Sequence, residues 1–421
     1  MIELILLVII LSVYAFTAVT NPTNFLILYV LSTTRFLGFL DLEYISSTIT
    51  GYAFFFFSIN FIALFASFVE KGVIPLRQDR NSQKILFLFF IIFCHGVIYP
   101  WVNGYSNLML SIISGKHLYF YFMLFYLHKK KNLLNKRKLE QLLKLIGFYL
   151  SGILVLYSIS SISPPFYEQK IDRNFISNAM LEVYSLTYIS LSVFIYLNNH
   201  FKRRITNSRL LLILTILLIG LFLGGHTSIF LTTIFGIFMS FLIIKFPSLL
   251  SRKNILLLAP LCITIFFLLY SNLNEIIYIL TNNDNFSGAI NSRAIYNVFR
   301  VDAINDNPLF GYGFIHSNAA LMSAINIDVL NIYESELNVI DAGYIDLFIK
   351  FGYVGGILYL SLLIYYIRKL GSNNLIFFHS RVVFILFMFQ YFIVSITWSA
   401  LTYSFGITPL VISLFLLDGE S

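Results

Sequence analysis

The stretch SRLLLILTILLIGLFLGGHTSIFLTTIFGIFMSFLIIK, from Ser208 to Lys245, decides the fold class. Its two apolar runs, 208–224 and 226–245, are each long enough to cross a hydrocarbon layer as a helix. Gly224-Gly225 parts them, and Arg209 and Lys245 stand at the two far ends. That is a membrane hairpin with its turn on one side and its cations on the other. Similar runs recur near 2–20, 24–40, 47–69, 84–103, 107–127, 141–162, 178–197, 254–270, 344–367, 376–397 and 401–417. Hydrophobic residues make up 58% of the chain, charged residues 11%, and mean hydropathy is +0.82. No soluble core of 421 residues needs so much apolar surface. The expected fold is all-α, a polytopic membrane bundle of about 12–13 spans with one large loop. The lower number applies if the short second run, which contains Arg35, is re-entrant. The expected organisation is an N-terminal transmembrane bundle over 1–270, the large loop over 271–343, and C-terminal spans over 344–421.

Cations set the orientation. Five short loops, Lys71–Lys84, Lys129–Lys138, Lys202–Arg209, Lys245–Lys253 and Arg368–Arg381, carry 20 of the 28 Lys and Arg. They alternate correctly between spans and mark the cytoplasmic side. The opposite side receives the 163–177 loop, the Gly224-Gly225 turn, the long loop and the 398–404 turn. The net charge of +8 therefore reports topology, and the basic clusters lack the interleaved aromatics of a nucleic-acid surface. Ile2 to Val19 carries Glu3 in place of a basic n-region and has no small-x-small cleavage site, so it reads as a retained span. Cys94 and Cys262 both fall inside apolar runs and read as small core residues.

The remaining polar sequence concentrates between spans, from about 271 to 343, and a loop that long usually carries function. It opens on Asn291-Ser292-Arg293 and continues through Asn307-Pro308-Leu309-Phe310-Gly311-Tyr312-Gly313. It closes on Asp341-Ala342-Gly343-Tyr344, running into Phe351-Gly352-Tyr353-Val354-Gly355-Gly356. Between Ser271 and Ile340, Arg293 and Arg300 stand against seven acids, and their spacing puts them on one face if that segment is helical. On the translocated side an arginine serves a structural ion pair or an anion. Its planar fork matches phosphate oxygens and stays charged at any relevant pH.

These motifs, in this order and placement, resemble the O-antigen polymerase and ligase superfamily, and the Wzy-type polymerases within it. The loop start is similar to that family's arginine followed by a Pro-Leu-hydrophobic-Gly-x-Gly turn. Asp341-x-x-Tyr344-Ile345-x-x-Phe348-x-x-x-Gly352-x-x-Gly355 resembles its loop-closing pattern, and Arg173-Asn174 its earlier Arg-then-Asn element. Two departures lean toward polymerase. Asp341 stands where the ligases usually have histidine, and Gly225-His226-Thr227 where they tend to have Ser-Arg.

The resemblance implies a bacterial inner-membrane, multi-pass, inverting and metal-independent glycosyltransferase without a cofactor. It would join undecaprenyl-pyrophosphate-linked O-antigen or capsule repeat units on the periplasmic face. Its partners would be the lipid-linked donor and acceptor, membrane lipid and a chain-length regulator protein, with no nucleic acid. Arg293, Arg173 and Arg300 would hold pyrophosphate, and Asp341 or His316 would take the acceptor proton. Alternatives are an O-antigen ligase acting on lipid A-core and a lipid-linked glycan flippase, although no internal repeat of the transporter kind is visible. Arg35, His95, Lys116, His117, Glu182 and Lys350 also sit in or near apolar runs, where ionisable groups usually face the bundle interior. Lys350, about two turns into its span, is expected to snorkel to the headgroups, with a lipid-phosphate groove as the alternative. Gly352, Gly355 and Gly356 are expected to allow close helix packing.

Overall fold

A computed structural model of the chain describes residues 2–34, 55–69, 80–160, 184–224, 226–246, 300–315, 343–370, 378–396 and 398–418. The described residues form helices and connecting turns, with no strand among them. Every expected span except 254–270, which lies outside the described residues, has a helix at its place. Among the described residues, five helices are long and apolar enough to cross a membrane: Lys84–Val102, Leu108–Leu133, Lys136–Leu156, Ser228–Lys245 and Gly343–Tyr365. Shorter apolar helices, among them Phe55–Phe68 and Asn207–Leu223, pack beside them.

The helices sort their surface as a bilayer requires. Leu211, Phe238 and Ile357 point outward, while Phe194, Leu217 and Phe387 are fully buried. Apolar side chains on both faces identify a solvent of hydrocarbon on one side and protein on the other. The interior is held by aromatic contacts and by polar groups that satisfy one another. Tyr29 Oη donates to Asn60 Oδ1 at 2.7 Å, and the Ser190 hydroxyl is hydrogen-bonded to Thr233 at 2.9 Å and to Gln390 at 3.1 Å.

The two ends of the bundle follow the cation pattern. At one end the Thr23 hydroxyl accepts from Asn135 N–H at 3.0 Å, and Lys130 Nζ donates to the Val69 carbonyl at 3.1 Å. Lys84 Nζ sits 3.0 Å over the Tyr365 ring, and Lys136 reaches the Phe415 carbonyl at 3.4 Å. This basic end thus gathers the starts and ends of helices whose loops the sequence marks as cation-rich. The opposite end, which we call the loop end, holds Asn103–Ser106, the 307–315 segment, the start of the Gly343–Leu370 helix and the 395–403 turn. Tyr344 N–H donates there to the Ser395 carbonyl at 3.2 Å.

Candidate active site

At the loop end, the two sequence motifs meet and interlock. The Gly343–Leu370 helix breaks at Gly352, where φ is +62° and ψ −175°. An unbroken α-helix would pair the Tyr353 and Val354 N–H groups with the carbonyls of Ile349 and Lys350. The Pro308–Gly313 turn inserts into that opening instead. Tyr312 and Gly313 donate to the Ile349 and Lys350 carbonyls, both at 2.8 Å. Tyr353 and Val354 donate to the Pro308 and Leu309 carbonyls at 2.7 and 3.2 Å. Two helix bonds are thereby replaced by four bonds to the turn. Such accounting is obligatory at membrane depth, where water is absent.

Glycine makes the approach feasible. Gly311, Gly313 and Gly352 all have positive φ, at +64°, +73° and +62°. A Cβ on Gly352 would collide with the Leu309 carbonyl carbon, and one on Gly311 with the Ile349 carbonyl oxygen. Gly352 is therefore the hinge point of a broken helix, which corrects the expectation of a simple packing glycine. Asn307 fastens the turn from within, its Nδ2 donating to the Gly311 carbonyl at 2.5 Å.

Past the turn, Phe314 is wholly buried and fills the space over Gly96 and Gly115, where an added Cβ at either would strike its ring. Phe314 N–H donates to the Gly96 carbonyl at 2.6 Å, and the Ser114 hydroxyl donates to the Ile315 carbonyl at 3.0 Å. The receiving helix is wound for this. Ile91–Ile98 is a π-helix, a form that clusters at functional sites, and Pro100 follows with no N–H to offer Gly96 four residues earlier. His95 in that π segment is hydrogen-bonded through Nε2 to the Phe310 carbonyl. A small satellite core of Ile304, Tyr312, Ile315 and Ile349 seats the 300–306 helix on the same end. Burial, aided by the Asp306 carboxylate, raises the Tyr312 phenol above its usual range, so the group is neutral at physiological pH.

Of the sequence-predicted site residues, Arg300 stands at the head of the 300–306 helix, half-buried and engaged in a further contact. Arg173, Arg293, His316 and Asp341 lie outside the described residues, as do Arg35 and Glu182. The described chain leaves the interlock at Ile315 and re-enters at Gly343, whose Cα region packs against the Trp398 and Ser395 carbonyls.

Lys350 departs from expectation. It is buried, 6% exposed, and does not snorkel. Its ammonium donates to Asp346 Oδ2 at 2.8 Å and lies 2.7 Å from Oδ1, with Asp346 itself fully buried. The reason is register: Asp346 lies four residues earlier on the same helix face, so the partner is supplied within the helix and the ammonium has no need of water. The Asp346–Lys350 spacing was readable in sequence, and Asp346 is the residue that sequence reasoning passed over. Beside the pair, Lys350 Nζ is 5.6 Å from the Tyr403 ring centre, and His117 stacks on the same ring at 4.3 Å and 26°. Among the described residues, no group of three or more His, Cys, Asp or Glu is placed to hold a metal ion. A cleft of about 390 Å³ lined by His200, Arg203, Arg204 and Asn207 sits at the basic end, remote from this chemistry.

Comparison with known proteins supports a family. Residues 210–360, more than a third of the chain, match the family model described as O-antigen ligase. That match supports membership of the O-antigen polymerase and ligase superfamily. The match spans the 208–245 hairpin, the 300–315 segment and the broken helix through Gly356, so the interlock lies inside the family region. Members of that superfamily are glycosyltransferase-like polymerases and ligases, and the apolar helices make the chain a multi-pass membrane protein. No curated protein and no solved structure matches the chain.

Proposed function

We propose that the protein is a polysaccharide polymerase of the bacterial inner membrane, acting on its outer face. It transfers a growing glycan from undecaprenyl pyrophosphate onto the next lipid-linked O-antigen or capsule repeat unit. The observation that carries this reading is the interlock: the Pro308–Gly313 turn and the Gly352 break hold both flanks of the 316–342 segment at one end of the bundle. That end is opposite the basic loops, where lipid-linked donors are presented if the cations set orientation.

The chemistry follows from what such a donor needs. The acceptor hydroxyl oxygen attacks the anomeric carbon, and the bond from that carbon to the pyrophosphate oxygen breaks with inversion. The electron pair leaves with the pyrophosphate, whose charge Arg173, Arg293 and Arg300 neutralise without a metal. The hydroxyl proton passes to Asp341 or His316.

Glycan ladders from a strain lacking the gene, complemented with variants, test the reading. Arg293→Lys keeps the charge and loses the fork, and is expected to shorten or abolish the ladder. Asp341→Asn is expected to stop extension if the carboxylate is the base. Asparagine serves almost as well if the residue only caps the following helix. A wild-type gene that restores no ladder removes the polymerase reading. The family model's own description favours ligase as the second reading. Restored transfer to lipid A-core, without chain extension, selects it.

A further inference from the structure

Arg203, at the basic end, is the one non-glycine residue with positive φ among the described residues, at +56°. It stands just past the Tyr184–Phe201 helix, in a Schellman turn. Its N–H donates to the His200 carbonyl at 2.7 Å, and Arg204 N–H donates to the Asn199 carbonyl at 2.9 Å. His200 fixes the turn further, its Nδ1 hydrogen-bonded to the Ile205 carbonyl at 3.0 Å. Glycine is the usual residue at this left-handed position, because a Cβ there crowds the following carbonyl. The backbone bonds of the turn make no use of the arginine side chain. Strain of this kind persists where the side chain is needed for something else.

The cleft of about 390 Å³ lies on this turn, and Arg203 and Arg204 both line it. Both are exposed, and among the described residues neither is paired with a carboxylate. Arg204 acts electrostatically on Lys144 of the Lys136–Ser160 helix, so a further cation stands close by. Glu140 answers Lys144 and leaves the cleft arginines without an acid of their own. The surface leading away from the cleft is apolar. Phe241 packs against Phe201 and His200 of the lining, with ring centres 5.0 and 6.0 Å apart. Phe241 is itself exposed, and so is Phe238 three residues earlier on the same helix face.

We infer that this cleft binds an anionic phospholipid from the leaflet at the basic end, its phosphodiester on Arg203 and Arg204 and its acyl chains along Phe241 and Phe238. The arginine fork matches two phosphate oxygens at once and stays charged at every relevant pH. A basic pocket between spans, set beside lipid-facing rings, suits a headgroup that carries apolar tails. A soluble phosphate would use only the charged half of the surface. Cations that merely orient the chain account for exposed charge in this loop, but not for an arginine held in a glycine conformation. The inference is independent of the glycan reaction the protein performs.

The test uses the full chain in phosphatidylcholine nanodiscs, with or without phosphatidylglycerol. Phosphatidylglycerol is expected to raise the wild-type unfolding temperature by a few degrees and to remain on the protein in native mass spectrometry. Arg203→Gly/Arg204→Gln is expected to match wild-type stability in phosphatidylcholine, because glycine relieves the left-handed turn. With phosphatidylglycerol it is expected to lose most of the shift and to bind the lipid about tenfold more weakly. Arg137→Gln/Lys138→Gln removes two exposed charges at the same end, outside the cleft, and is expected to keep the full shift. The proposal fails if the cleft variant keeps the shift, or if the Arg137/Lys138 variant loses as much, which makes the effect a general surface attraction. A cleft variant clearly less stable than wild type in phosphatidylcholine makes the arginines part of the protein's own packing and overturns it. Millimolar inorganic phosphate that reproduces the wild-type shift assigns the cleft to a soluble anion and overturns it as well.

Discussion

The two ends of this bundle use their cations in opposite ways. At the basic end, Lys136 and the buried Lys130 donate to backbone carbonyls, and Lys84 and Lys144 lie over tyrosine rings 3.0 and 5.2 Å away. Single donors of this kind tie neighbouring helices at little cost, and charge there chiefly fixes which side faces the cytoplasm. At the loop end, Lys350 is buried against Asp346, backbone enters the bundle, and three glycines adopt left-handed conformations. Buried charge and strained backbone are expensive, and they persist where a site requires them. The contrast separates lysines tied to carbonyls and rings from a lysine tied to a carboxylate.

The comparison can be broken most sharply at Lys350. Lys350→Met leaves the Asp346 carboxylate buried without its partner, and thermal unfolding in nanodiscs is expected to show a loss of about 3–5 kcal/mol. Adding Asp346→Asn is expected to recover most of that loss. A single variant as stable as wild type would mean that the loop end tolerates bare charge as the basic end does.

Gly352→Ala comes next. Its Cβ meets the Leu309 carbonyl group while the backbone is held at positive φ, a combination expected to cost about 2–4 kcal/mol and to release the Pro308–Gly313 turn. Hydrogen exchange at the amides of Tyr312, Gly313, Tyr353 and Val354 reads the release directly, because these four amides make the interlock. Unchanged protection would show that the turn is held by Phe314 alone.

Ser114→Ala removes one hydrogen bond to the Ile315 carbonyl and is expected to cost about 1 kcal/mol, with a partial loss of ladder length. The smallest effect belongs to the basic end. Lys136→Ala is expected to change stability by less than about 1 kcal/mol and to leave the ladder unaltered. A large effect on ladder length there would erase the distinction between the two ends.

Much of the scaffold was legible in the residues because bilayer crossing imposes a length and a polarity that sequence displays directly. The hairpin over 208–245 is found as helices Asn207–Leu223 and Thr227–Lys245. Less of the candidate site was legible. The Gly-x-Gly turn and Gly352 both stood out, but each reads alone as a loop or a packing position. Gly96, Gly115 and His95 carried no signal that would assign them to Phe314 and Phe310.

What the sequence determined by itself was the solvent of each segment and its direction across the membrane, together with the local exceptions: where proline and glycine interrupt a helix, and that Asp346 and Lys350 share a face. These are properties of neighbours within one helical turn or of averages over one span. Only the tertiary structure decided that the break at Gly352 is filled by residues some forty positions earlier, and that His117 and Lys350, from different spans, meet at the Tyr403 ring. Backbone hydrogen bonds are made by groups that every residue carries, so their long-range pairing leaves no mark in side-chain identity. Charges on different spans meet only when packing fixes the rotation of each helix about its axis.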